Sequence, residues 1–83
     1  MKISILSPEK EIFSGEITSV KVPGISGQFE VLQNHAPIVA ALEKGTVRVK
    51  KSNGDPLQFQ ITKGFIEVLH NEVSLLVQGV EGI

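Results

Sequence analysis

Eighty-three residues without a cysteine suffice for one small domain and exclude a disulfide framework or a thiolate metal centre. Eight basic and nine acidic side chains give a formal charge of −1, with the signs mixed along both halves, so nucleic acid is not the implied partner. The longest apolar run, Ile38 to Leu42, falls far short of the ~20 residues that cross a bilayer, and Met1-Lys2 leads straight into a strand-like pattern, so a cytosolic setting is expected.

Apolar residues recur mostly with period two, in short bursts between Gly, Pro and Asn, which predicts strands. Ile3 and Ile5 form the first burst, closed by Ser7-Pro8. Ile12 to Val22 reads as one long strand or two, with a bulge or bend expected at Gly15. Beyond it, Val22 to Pro37 is the most informative stretch. Pro23 fixes φ and removes a donor, and Gly24 and Gly27 admit positive φ. A sharp turn, a short extended run through Phe29 and Val31, and a second turn at Asn34 follow. Phe29, set between Gln28 and Glu30, is expected to point into the core. Ala36 to Glu43 has a faint helical character, held to a turn or two by Pro37, the branched pair Ile38-Val39 and Gly45.

Val47 and Val49 alternate with Arg48 and Lys50, and Leu57, Phe59 and Ile61 alternate with polar neighbours beyond Asn53-Gly54-Asp55-Pro56, which predicts a hairpin. Ile66 and Val68, with Val73 to Val77, predict a second hairpin around His70-Asn71. Gln78 to Ile83 is expected to be a loose end. The fold class is therefore all-β: one domain over residues 1–83, a flattened antiparallel sandwich or barrel of about ten short strands with no substantial helix.

Catalytic chemistry finds little support. His35 and His70 lie far apart in sequence, outside any H-x-H or H-E-x-x-H spacing, and read as a turn or interface residue and a hairpin-turn residue. Glu9 and Glu11 read as solvated charge, and Gly24-Ile25-Ser26-Gly27 lacks the Gly-Lys-Ser/Thr ending and the helix of a phosphate loop. Lys44, Arg48, Lys50 and Lys51 form the densest basic group and read as a solvated sheet face. No cofactor, metal or catalytic residue is expected.

The run from Val22 to Pro37, behind Ser7-Pro8 and Phe13-Ser14-Gly15 and ahead of Gly64-Phe65-Ile66-Glu67-Val68, resembles the amino-terminal domain of the epsilon subunit of F-type ATP synthases, called delta in mitochondria. The resemblance implies a β-sandwich at the foot of the central rotor stalk, between the gamma subunit and the ring of c subunits, coupling proton-driven rotation to ATP synthesis. It implies no catalytic site and a peripheral place on the cytoplasmic face of a bacterial inner membrane. On its residues the interface with ring and gamma base falls at Gly27, Gln28 and Glu30, beside Phe29, and at Asn34, His35, Ala36 and Pro37. The family commonly has an acidic residue at position 28 and a glycine at position 30. Because residues two apart on a strand share a face, Glu30 is expected to carry the ring-facing charge, provided position 30 tolerates a side chain. The family's two carboxy-terminal helices are absent from these residues, so no inhibitory or ATP-sensing role is expected of them. The competing class is a free-standing sandwich that binds a protein, peptide or sugar.

Overall fold

Alternation at nearly every apolar burst resolves into eight strands, with no helix, in a computed structural model that describes residues 1–83. They are β1 (Lys2–Leu6), β2 (Glu11–Gly24), β3 (Gly27–Leu32), β4 (Ile38–Leu42), β5 (Gly45–Lys51), β6 (Pro56–Ile61), β7 (Lys63–Leu69) and β8 (Glu72–Gln78). The 14-residue β2 belongs to two layers. Its first half pairs with β1, and its second half lies between β3 and β5. One layer therefore runs β3-β2-β5-β6, and the other runs from β2 through β1, β8 and β7 to β4. All neighbours are antiparallel except β1 and β8, which are parallel.

The inward side chains of both layers form one cluster of 17 buried apolar residues, among them Ile5, Val20, Val31, Phe59, Ile66 and Leu75. No polar or charged residue is buried with them. The only ion pair joins the Met1 ammonium to Glu16 at 3.4 Å, and its carboxylate is largely exposed, so burial of apolar surface holds the domain together.

Both predicted hairpins are present, as β5–β6 and β7–β8. In the second, His70 and Asn71 have φ of 51° and 61°, the positive pair that matches the twist of a two-residue hairpin loop. Four expectations change. Eight strands stand where about ten were expected, in part because Ile12 to Val22 lies within one continuous strand. Gly15 sits in register opposite Ile3, and the irregularities of β2 fall instead on either side of it, at Ile12, which is skipped between the Leu6–Glu11 and Ile5–Phe13 pairs, and between Ile17 and Ser19, where β2 passes from one partner to the next. Residues 38–42 form β4 and not a helical turn, because pairing with β7 satisfies their backbone and suits the branched Ile38-Val39 pair. The chain end is tied down: Gln60 and Glu81 exchange backbone hydrogen bonds of 2.8 and 3.0 Å, and Val80 packs against the core.

Candidate functional site

The interface residues expected from sequence fall into two groups at opposite ends of β3. The strand separates Gly27 from Leu32 by five steps of extended chain, about 17 Å. At the first end, Ile25 and Ser26 make the β2–β3 turn, and Gly27 takes φ of 130°. A Cβ at Gly24 would come within 2.7 Å of the Gly27 carbonyl oxygen and 2.8 Å of the Phe29 ring, so only glycine lets this turn close. Phe29 itself is half-buried and packs against the core, as alternation predicts. Gln28 and Glu30 are exposed on the same face of β3. Glu30 has ordinary extended backbone, in register with Lys21 of β2, so position 30 accepts a side chain without strain.

The second end carries Asn34, His35, Ala36 and Pro37. Asn34 has φ of 64°, a conformation that asparagine tolerates better than most residues, and the His35 N–H donates to the Leu32 carbonyl at 3.1 Å. The His35 Nδ1 lies 2.7 Å from the Ala36 carbonyl oxygen, which favours the tautomer with hydrogen on Nδ1. This turn meets the β7–β8 turn: the Asn34 N–H donates to Asn71 Oδ1 at 2.7 Å, and Asn71 Nδ2 donates to Asn34 Oδ1 at 2.8 Å. The two histidine-bearing turns, distant in sequence, are thus joined.

An apolar band was not anticipated. Leu6 pairs in register with Leu76, Leu76 with Phe65 and Phe65 with Ala41, so these residues form one row across β1, β8, β7 and β4. They face outward, with Leu6, Phe65 and Leu76 39%, 42% and 50% exposed. A depression of about 480 Å³ lies along the row, against Ser7, Pro8 and Gly64. At Ala41 the band meets the first end of β3, since the Ile25 N–H donates to the Ala41 carbonyl at 3.1 Å. There a second depression of about 590 Å³ runs between Ile25, Gln28 and Phe29 on one side and Ile38 and Val39 on the other. The signal for the band was in the sequence. Ile5-Leu6, Phe65-Ile66 and Leu75-Leu76 are adjacent apolar pairs, and on a strand such a pair makes both faces apolar.

The sandwich thus carries an exposed apolar row on one outer face, charge on the other and its turns at the ends. The model of the ATP synthase delta/epsilon chain β-sandwich domain matches residues 1–83, and the chain belongs to that family. An ATP synthase epsilon chain of Chlorobium limicola is 46% identical over 79 residues, covering 95% of this chain and 90% of that protein. One from Protochlamydia amoebophila is 41% identical over 98% of this chain, which spans only 55% of that longer relative. Among solved structures, a chain of the Euglena gracilis mitochondrial ATP synthase, described with its OSCP, F1 and c ring, superposes with a TM-score of 0.86 at 21% identity. That match covers 95% of this chain and 51% of the other.

Proposed function

We propose that this domain is a non-catalytic part of the rotor of an F-type ATP synthase, joining the gamma subunit to the c ring at the cytoplasmic face of the membrane. Its work is mechanical, coupling ion-driven rotation to ATP synthesis. Torque passes through a stiff body only if it is clamped on more than one side, and the sandwich offers two suitable surfaces. The apolar row Leu6-Leu76-Phe65-Ala41 suits gamma, since burying such a row supplies the hydrophobic centre that a stable interface needs. The polar ends of β3, with Gln28 and Glu30 at one and His35 to Pro37 at the other, suit the loops of the ring and the base of gamma.

The observation that carries this reading is the 46% identity to a protein named as an ATP synthase epsilon chain, spread over nearly the whole of both chains. The test is direct. The purified domain should co-elute with purified gamma subunit and be retained on immobilised c ring carrying gamma. A folded domain that elutes alone from both would refute the assignment.

A further inference from the structure

The segment from Gln33 to Pro37 belongs to no strand, yet it holds four of the seven proposed interface residues. Its backbone has few ties to the rest of the fold. Within it, the His35 N–H reaches only back to Leu32, a local turn bond. The Met1 ammonium donates to the Gln33 side chain at 3.3 Å, and beyond it the long-range fastening of residues 34–37 is the pair of hydrogen bonds exchanged by Asn34 and Asn71, at 2.7 and 2.8 Å, across 37 positions of sequence. We propose that Asn71 is a positioning residue for docking: it fixes the His35-Ala36-Pro37 segment from the β7–β8 hairpin, though it lies outside the segment itself.

The geometry is specific to asparagine at both places. Each residue needs a positive φ, at 64° and 61°, which asparagine tolerates better than most residues. Asn71 must also offer an acceptor to the Asn34 N–H and a donor to the Asn34 side chain, and only a carboxamide supplies both at that reach. The hairpin that carries Asn71 is well anchored. Its strands pair over seven registered positions, Val68 and Val73 are buried, and the Asn71 carbonyl accepts from the Lys2 N–H at 3.0 Å. A loop joined to such an element meets a partner already ordered, so binding loses less conformational entropy.

This inference rests on the rotor reading, and the test separates the two. Asn71→Gly keeps the positive φ and the backbone bond to Lys2 while deleting both side-chain bonds. Asn53→Gly, which deletes the 2.9 Å bond from the Asp55 N–H to Asn53 Oδ1 in the remote β5–β6 turn, is the matched control. Binding to c ring carrying gamma is measured well below each variant's unfolding midpoint, and amide spectra of each free variant are recorded. Asn71→Gly should bind about fivefold to tenfold more weakly, with Asn53→Gly within about twofold of wild type. Amide signals of residues 34–36, and of Ile38 beyond Pro37, should broaden or shift in Asn71→Gly alone. Unchanged signals there, or wild-type binding by Asn71→Gly, would overturn the positioning role. If wild type itself ignores the ring and gamma, the rotor reading fails, and the spectra alone decide whether Asn71 orders the segment.

Discussion

The two outer faces of this sandwich rest on the same core and differ in nearly everything else. On the β3-β2-β5-β6 layer, Glu30, Lys21, Arg48 and Gln58 are successive neighbours in register, a fully polar row. On the other layer the equivalent row is Leu6, Leu76, Phe65 and Ala41. An antiparallel sheet with one solvated face needs nothing more than the first pattern. The second exposes apolar surface that a free monomer gains nothing by showing, and contiguous patches of this kind mark interaction sites. The contrast separates what folds the chain from what is left for contact: inward residues satisfy the core on both layers, and only one layer carries a contiguous outward apolar row.

That contrast can be broken from beneath or from one side. Phe59 is 2% exposed and is the largest fully buried side chain, so Phe59→Ala should destabilise the domain by ~3–5 kcal/mol in denaturant melts. Both faces should suffer together, with binding to gamma falling only as the folded fraction falls. A loss below about 1 kcal/mol would argue against a single shared core. From the side, Leu76→Arg places a charge in the middle of the dry row without touching the interior. Binding to gamma should weaken about a hundredfold while stability moves by less than about 0.5 kcal/mol. Unaltered affinity would remove the row from the interface.

The sequence disclosed the core more readily than the site, and the reason lies in what each signal measures. Alternation at Val47, Val49, Phe59 and Ile61 reports which side chains turn inward, and the β5–β6 hairpin follows from that together with Asn53-Gly54. The β7–β8 hairpin was equally legible. Alternation is silent about neighbours across strands, so that Leu6, Leu76 and Phe65 form one row emerged only from the registers. Gln28 and Asn34 were read as parts of one interface, although the extended strand between them holds them apart. Asn34 was expected at a turn and takes one, but its partner Asn71 is a long-range fact that local reading does not reach. The tail misled for a related reason. Gln78 to Ile83 lacks a periodic signal, yet the backbone pairing of Glu81 with Gln60 needs no particular side chain.

The charged layer sharpens the comparison with smaller effects. Glu30 stands at the exposed edge on β3, with Lys21 as its register partner, and no ion pair joins them. If its carboxylate meets the ring, Glu30→Gln should weaken ring binding about threefold at low salt and leave it unchanged near 0.5 M salt, where such a charge is screened. Equal affinities at both salts would leave Glu30 without that role. Arg48→Gln should do less. Arg48 lies one strand further from the β3 edge than Lys21, flanked in register by Lys21 and Gln58, on the part of the face that the reading leaves in water. Its replacement is expected to change binding to gamma or ring by less than about twofold at either salt, because an exposed charge with no partner contributes little to an interface it does not enter. A larger loss, comparable to that of Leu76→Arg, would mean that the polar layer docks as well, and the two faces would then have to be treated as one continuous interface wrapped around the sandwich.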